Sequence, residues 1–429
     1  MVVKDEIKIG MLGLGTVGSG TAEILRRNRD SIREKTGSNI TIKRVLVRDL
    51  NRPRQLDITG MELTDDPATI FSDPEIDLVV EVMGGIDTAR RYVKEALRRG
   101  KFVVTANKDL LARHGMELHR VAKENDRSIY YEASVGGGIP LVRPLKHCLA
   151  ANKIQRVMGI INGTTNYILT QMTMHHKEFE TALKEAQEKG FAEQDPSSDL
   201  AGRDAANKLA ILAANAFRSQ VTEADVYQEG IQDVRLRDIL YAAELGYVVK
   251  LLALGEEKEE GLSLRVLPAL IPKTHPLAGV YDEFNAVSIL GDSVGEVMFY
   301  GRGAGSLPTG SAVVADIIDV VRSINHQVVN GIMEIDFKRK NIIPMARQHS
   351  RFYLRFKAKD EPGVFAGLAT AFGQEKVSLD MIIQKHREGD TAEIVLVTHD
   401  VQEEKFEKAM AKIKCLPAVR SIDAILRVI

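Results

Sequence analysis

The densest collection of chemically useful side chains in the chain is the run Gly190-Phe191-Ala192-Glu193-Gln194-Asp195-Pro196-Ser197-Ser198-Asp199-Leu200-Ala201-Gly202-Arg203-Asp204-Ala205-Ala206-Asn207-Lys208-Leu209. Asp204 and Lys208 are four apart, so on a helix they share a face with Ile211 and Asn215, while Leu209, Ala213 and Phe217 line the opposite side. A lysine so placed can give a proton to, or stabilise charge on, an oxygen that turns negative during a reaction. Glu193, Asp195 and Asp199, in the preceding loop, could gather around the ammonium of a small substrate. The same spacing also describes an amphipathic helix with an exposed ion pair, which adds little to stability.

Three further motifs carry chemistry. Gly13-Leu14-Gly15-Thr16-Val17-Gly18 follows a short apolar strand and opens a stretch with helical apolar spacing at Val17, Ala22 and Leu25. Glycines in that setting let the backbone approach a pyrophosphate, whose charge the helix N-terminus stabilises. Arg48 closes the second β-rich run, where a dinucleotide's adenosine ribose is met, and an arginine there pairs with a 2′-phosphate. This favours NADP(H), while Asp49 next door leaves NAD(H) open. Thr105-Ala106-Asn107-Lys108 ends a later strand, on the edge where open α/β sheets bind ligands, which makes Lys108 a cleft candidate or else a surface lysine at a helix start. Tyr131-Glu132-Ala133-Ser134-Val135-Gly136-Gly137-Gly138-Ile139-Pro140 puts three glycines at another strand end. Such a turn can aim several carbonyl oxygens at a monovalent cation, admit a substrate closely, or simply join two domains.

The elements that must position these residues follow from periodicity. Strand-like runs at Ile7, Ile40 to Val47, Leu78 to Val82 and Phe102 to Thr105 alternate with helical segments such as Thr88 to Arg99, the pattern of a parallel sheet with crossover helices. Beyond about Ala150 the alternation stops. Ala-rich helices are expected between Asn166 and Phe217, and several short β-rich runs between Leu262 and Tyr300, giving an α+β substrate or dimer domain. Pro308 to Ile324 is again apolar at helical spacing and is expected to return to the first domain. A composition shift near Met345 precedes a fresh strand at Phe352, and the last ~80 residues read β, helix, β, β, helix, β, enough for a ferredoxin-like unit. The charged run Glu256 to Glu260 reads as a solvated hairpin tip.

Composition excludes several classes of partner. Among 429 residues, 58 Lys plus Arg nearly cancel 59 Asp plus Glu, so nothing electrostatic draws the chain to nucleic acid or an anionic membrane. Two distant cysteines, Cys148 and Cys415, give neither a disulfide framework nor a zinc site and suit a cytoplasmic setting. The N-terminal Met1-Val2-Val3-Lys4-Asp5-Glu6 lacks a signal pattern, and no apolar run approaches the ~18 residues of a membrane span.

Taken together, these motifs, with Asn162-Gly163-Thr164-Thr165-Asn166-Tyr167 and Gly301-Arg302-Gly303-Ala304-Gly305, occur in the order found in homoserine dehydrogenases, which residues ~5 to ~325 resemble. The tail resembles an ACT domain through Lys359-Asp360-Glu361-Pro362-Gly363-Val364. The resemblance implies an α/β protein: a Rossmann-type NAD(P)-binding domain over residues 1–145, completed by a returning helix at about 308–340; an α+β substrate and dimerisation domain over 146–307; and a ferredoxin-like ACT domain over 350–429. It implies reduction of L-aspartate 4-semialdehyde to L-homoserine, a step toward threonine, methionine and isoleucine. Lys208 would be the catalytic acid/base, assisted by Lys108, and Gly190, Glu193, Asp199 and Asp204 would bind the amino-acid end. Gly13, Leu14, Gly15, Thr16, Val17, Gly18, Arg48, Thr105, Lys108 and Gly303 would hold the cofactor, with NADPH preferred. The backbone at Glu132, Val135, Gly137 and Ile139 would hold sodium or a similar ion. Threonine would act at the ACT domain, and a homodimer or homotetramer is implied. Two other readings compete. Aldehyde oxidation through a thiohemiacetal requires an activated cysteine, and Cys148 reads as helix interior. A non-catalytic dinucleotide sensor leaves the lysine and acids idle.

Overall fold

The structure is a computed structural model that describes residues 4–326 and 337–429, the side chain of Glu388 apart. The first three residues of the N-terminal run, and the 327–336 part of the returning segment, lie outside the described residues. The chain begins β1 (Glu6–Leu12), α1 (Thr16–Arg27), α2 (Arg29–Thr36), β2 (Asn39–Leu46), β3 (Glu62–Thr64), α3 (Ala68–Phe71), β4 (Ile76–Glu81), α4 (Asp87–Arg98), β5 (Phe102–Thr105), α5 (Lys108–Glu124) and β6 (Ile129–Tyr130). It continues β7 (Ile154–Ile160), α6 (Gly163–His175), α7 (Phe179–Glu188), α8 (Ser197–Leu200), α9 (Arg203–Phe217), β8 (Tyr227–Gln228), α10 (Leu236–Glu244), β9 (Tyr247–Lys258) and β10 (Gly261–Pro272). Then come β11 (Phe284–Gly291), β12 (Gly295–Arg302) and α11 (Ser306–His326). The tail is β13 (His349–Lys359), α12 (Val364–Gln374), β14 (Leu379–Glu388), β15 (Thr391–Thr398), β16 (Val401–Gln402), α13 (Glu403–Lys414) and β17 (Val419–Val428).

Two compact units result: Met1–Val157, Asn207–Asp225 and Asn285–Lys340 form one; Met158–Ala206, Val226–Phe284 and Asn341–Ile429 form the other. The span 146–307 is therefore divided between both. In the first unit six parallel strands lie in the order β3-β2-β1-β4-β5-β6. Both faces of this sheet are covered, which is why β1 buries Ile7, Ile9, Met11 and Leu12 in an almost unbroken run rather than alternating. Strand order reverses between β1 and β4, and that switch opens a crevice at the strands' C-terminal ends. Val313, Ile317, Val320 and Val321 of α11 share a core with Ile9, Leu78 and Val80 of the sheet. Two glycines let α11 reach α1: a Cβ on Gly20 would lie 2.1 Å from the Ser306 carbonyl oxygen, and one on Gly310 2.7 Å from the Gly20 carbonyl carbon. β12, β11 and β7 are successive neighbours in a second sheet.

Two local expectations need correction. The three-residue β3 adds an edge strand too short to show a period, so Phe102–Thr105 is the fifth strand. Cys148 is not in a helix interior: it ends a five-residue π-helical turn, Pro144–Cys148, and is exposed.

In the second unit the sheet runs β9-β10-β17-β13-β15-β14. The first of the runs expected to be short between Leu262 and Tyr300 is the twelve-residue β10, which forms a hairpin with the equally long β9 whose tip is the exposed Glu259-Glu260. The tail has the ferredoxin-like order of strands, with Phe352, Leu354 and Phe356 facing the helices α12 and α13. It does not stand alone. β17 pairs in parallel with β10 at Ala269–Arg427 and Leu270–Val428, so one sheet passes from the middle segment into the tail. On the face away from α12 and α13, Arg355 of β13 donates twice to Asp238 of α10, at 2.7 and 3.1 Å, and also meets Glu393 and Asp423. The Tyr353 hydroxyl donates to the same aspartate at 3.0 Å. Asp238 is fully buried. A buried charge stripped of its main partner is costly. Asp238→Ala should therefore lower the unfolding free energy by about 3 kcal/mol, the low end for a broken buried pair because Glu393 and Asp423 remain, as read from urea denaturation.

Candidate active site

A cleft of about 1470 Å³ opens at the switch point of the first unit, lined among others by Gly13, Leu14, Gly15, Thr16, Arg48 and Ser306. The glycine turn is built for close approach. Gly13 has φ +100°, and a Cβ on it would lie 2.9 Å from the Val82 carbonyl oxygen; a Cβ on Gly18 would lie 2.5 Å from the Gly13 carbonyl oxygen. Gly15 faces open space, where a pyrophosphate can reach the start of α1. The segment after β2 supplies Arg48, Arg52 and Arg54, and Arg54 ties its own loop by donating to the carbonyls of Asp49 and Arg52 at 2.6 and 2.8 Å. Val82, Met83, Gly84 and Gly85 form the opposite lip.

That lip is fixed from below by Glu81, the fully buried last residue of β4. Its carboxylate accepts the Thr105 hydroxyl at 2.6 Å and the Met83 N–H at 3.0 Å. Burial pushes its pKa up, against these hydrogen bonds and those of Gly84 and Asn107. Asn107 caps α5 by accepting the Leu110 N–H at 3.1 Å and donates to the Gly85 carbonyl at 2.7 Å. Lys108, half-buried, is the first residue of α5. Beside it Asp109 accepts from Asn207 at 2.7 Å, so the starts of α5 and of this part of α9 stand side by side. Lys208 follows Asn207 and is also half-buried. α9 is not amphipathic: Ile211, Leu209, Ala213 and Phe217 are all buried, and so is Asp204, which removes the exposed-pair reading.

The glycine-rich turn is anchored by Glu132. Its carboxylate accepts the N–H groups of Leu141, Val142 and Arg143, at 2.5, 2.9 and 2.7 Å. A Cβ on Gly137, whose φ is +55°, would lie 2.4 Å from the Gly303 carbonyl oxygen. The carbonyls of Val135, Gly137 and Ile139 accept no hydrogen bond among the described residues. Behind the turn, Asp316 of α11 accepts the Glu132 N–H at 2.8 Å and Arg143 at 3.1 Å. Arg143 also pairs with Asp319 at 3.0 Å, and Lys146, which burial pushes down to about 7, lies 4.1 Å from the centre of the Tyr131 ring.

In the second unit Asn162 joins two acids. Its Nδ2 donates to Asp199 at 2.7 Å and to Asp204 at 2.8 Å, while its Oδ1 caps α6 by accepting the Thr165 N–H at 2.8 Å. Both carboxylates thus converge on one amide. Deeper in, Lys250 donates to Asn166 at 3.1 Å, and Asn166 donates to the carbonyls of Val280, Asp282 and Phe284, which holds the 280–284 loop against α6. Burial pushes Lys250 down to about 8. Gly190, with φ +75°, follows α7, and Gln187 donates to the Glu193 carbonyl at 3.2 Å; Glu193 itself is exposed.

Comparison with known proteins matches residues 13–132 to the homoserine dehydrogenase NAD-binding domain, 140–318 to homoserine dehydrogenase and 352–417 to the ACT domain. The homoserine dehydrogenase of Synechocystis sp. is 45% identical over 432 residues, covering 99% of either chain. The chain belongs to the homoserine dehydrogenase family. The crystal structure of a homoserine dehydrogenase from Thiobacillus denitrificans superposes with a TM-score of 0.93 at 41% identity, over 99% of this chain and 98% of that one. A hyperthermophilic archaeal homoserine dehydrogenase in complex with NADPH covers 73% of this chain and 97% of its own, at 27% identity and a TM-score of 0.61. As a homoserine dehydrogenase the chain is an oxidoreductase acting on a CH–OH group, with a domain for a nicotinamide cofactor and an ACT tail.

Among the residues expected to hold that cofactor, Gly13, Leu14, Gly15, Thr16 and Arg48 line the cleft; Val17 and Gly18 lie behind it in the first turn of α1. Thr105 is buried under the lip, and Gly303 abuts Gly137. Four residues of this site were given no role by the motifs. Glu81 ends an otherwise apolar strand, a signal in itself, whereas Asn162 and the Asp109–Asn207 pair carry none. Asp316 yields a prediction. Burial first, then the Glu132 charge, pushes its pKa from 3.8 up to about 8. A folded pKa above the unfolded value gives stability that is full below the unfolded pKa and is lost as pH rises through the folded one. The thermal-midpoint difference between the native chain and Asp316→Asn should therefore move against the native chain from about pH 4 to about pH 8, then level.

Proposed function

We propose that the chain catalyses the reversible reduction of L-aspartate 4-semialdehyde to L-homoserine with NADPH, in the biosynthesis of threonine, methionine and isoleucine. The observation that carries this reading is the hydrogen bond between Asp109, next to Lys108 at the start of α5, and Asn207, next to Lys208 in the second turn of α9. When bound, the nicotinamide supplies or accepts the hydride. Lys208 gives a proton to the aldehyde oxygen as negative charge develops on it, and takes one from the hydroxyl in the reverse direction. Lys108, the first residue of α5, would hold the nicotinamide end of the cofactor and add positive charge where the oxyanion forms. Asp199 and Asp204, held by Asn162, receive the substrate ammonium together with Glu193 and the Gly190 backbone. The residues suit a monovalent ion: Glu132 has its carboxylate engaged with backbone amides, which leaves carbonyls at Glu132, Val135, Gly137 and Ile139 as neutral oxygen donors.

The first segment, 1–145 with the helix that follows Gly305, binds the cofactor; 146–307 binds substrate and pairs subunits in a homodimer or homotetramer; 350–429 receives an amino-acid effector, for which threonine is the first to try. No described helix is long and apolar enough to cross a membrane, and we assign the enzyme to the cytoplasm. Arg48, exposed in the cleft, favours NADPH, with which the archaeal relative is in complex.

Two outcomes test this reading. With NADPH and aspartate semialdehyde, and no phosphate, the near-ultraviolet absorbance of NADPH should fall, and Lys208→Ala should reduce turnover by about 10²-fold or more with NADPH affinity nearly intact; turnover left unchanged removes the lysine from the mechanism. Arg48→Ala should raise the KM for NADPH about tenfold more than that for NADH, since it removes a charged hydrogen bond that only the 2′-phosphate makes. Equal losses would mean that Arg48 does not set cofactor choice.

A further inference from the structure

Lys108 and Lys208 lie a hundred residues apart in sequence, yet each is the immediate neighbour of one half of a single hydrogen bond. Asn207 is 6% exposed, and its Nδ2 donates to Asp109 Oδ1 at 2.7 Å. Its Oδ1 is buried without a hydrogen-bond partner among the described residues, so this bond is the side chain's one polar tether there. Asp109 sits in the first turn of α5, where exposed N–H groups favour a negative charge and leave the carboxylate a strong acceptor. α5 is in turn fixed to the sheet, through Asn107 to Gly85 at 2.7 Å and through Thr105 to Glu81 at 2.6 Å.

The rest of the contact between the two helices gives little direction along their axes. Farther along they face each other mainly with apolar side chains, around a cavity of about 40 Å³ lined by Leu111, Ala112, Gly115, Ala210, Ile211 and Ala214 and also by His119, Tyr131 and Asn215; Asn215 accepts from Tyr131 rather than from α5, and Arg113 of α5 meets Glu223 only beyond the end of α9. Dispersion across such a surface varies little when one helix slides by a fraction of a turn, whereas a hydrogen bond weakens steeply with distance and angle. We infer that the Asp109–Asn207 hydrogen bond sets the spacing between the two lysines, making Asp109 and Asn207 positioning residues for the reaction. The inference rests on the reading of Lys108 and Lys208 as the reacting groups. A shift of about 1 Å in such a pair costs up to about 10²-fold in rate.

The test is made on the full chain with Asn207→Leu, which removes the donor, Asn207→Asp, which opposes two carboxylates, and the exchange Asp109→Asn/Asn207→Asp, which restores the bond with donor and acceptor reversed. Steady-state kcat, the KM values for NADP+ and homoserine, and the thermal midpoint are measured for each. Both single variants should lose about tenfold or more in kcat while the KM for NADP+ changes by less than about threefold, because the glycine turn is untouched. The exchange should recover most of the kcat lost by Asn207→Asp, a rescue that general loosening of the fold would not give. A kcat for Asn207→Leu within about twofold of the native value, or an exchange variant no better than the single variants, overturns the proposal. Should Asn207→Asp fail to fold, Asn207→Leu and the exchange decide alone. Lys208→Ala separates the two levels of argument: if it stays active the lysine reading fails, and if it is inactive while Asn207→Leu is unaffected only the spacer does.

Discussion

A carboxylate taken out of water must be met by donors or it gives up its charge, and three buried acids in this chain turn that requirement into joints. Glu81 gathers the lip of the cofactor cleft and the strand end that leads to Lys108. Glu132 closes the glycine-rich turn by collecting three successive backbone amides. Asp238 receives Arg355 and Tyr353 and so fastens α10 to the tail's first strand. Each joint fixes one geometry between separate pieces of backbone, within a single turn at Glu132 and between segments 24 and more than 100 residues apart at Glu81 and Asp238, and each gains direction from hydrogen bonding that apolar packing does not provide.

How much of this could be read from sequence depends on whether a signal is local. The strand, Gly13-x-Gly15-x-x-Gly18 turn and helix were legible because a close approach of backbone to phosphate needs glycine at fixed offsets, and the offsets are visible. The tail's ferredoxin-like order was legible from its alternation, with Phe352, Leu354 and Phe356 facing the helices. Tyr353 and Arg355 illustrate the limit. By period they point to the other face, which for an arginine reads as solvent, yet that face is covered by α10 and the charge is buried. α9 left a choice for the same reason: the spacing of Asp204 and Lys208 fitted an exposed pair as well as a site, because nothing local says that both sides of a helix are packed.

The candidate site follows the same division. Its candidate residues stand out in the sequence as types at spacings, because an ammonium near acids is a recognisable chemical combination. Their supports were not. Asn162 orients Asp199 and Asp204 while capping α6, and an asparagine that opens a helix looks like any other cap. Asn207 bonds to a residue 98 positions away, and no periodicity reports such a contact.

The continuity of the tail with the middle segment constrains what regulation by an effector can mean. β17 runs beside β10, the buried Asp238–Arg355 pair lies between α10 and β13, and Arg427 of β17 meets Glu229 just after β8. A ligand shifts an equilibrium only by its differential affinity for two arrangements. Arrangements that separate the tail as a whole would break the Asp238–Arg355 pair, the Tyr353–Asp238 hydrogen bond and the β10–β17 pairing together and expose the surfaces between them, a loss that an amino acid bound to the tail alone does not offset. The accessible arrangements are those that keep the shared sheet and the buried pair and alter what surrounds them. For the same reason a chain cut before β13 is a poor control for effector response. It strips β10 of a neighbour and leaves Asp238 without its arginine, so a lost response would report a damaged core as readily as a missing ligand site.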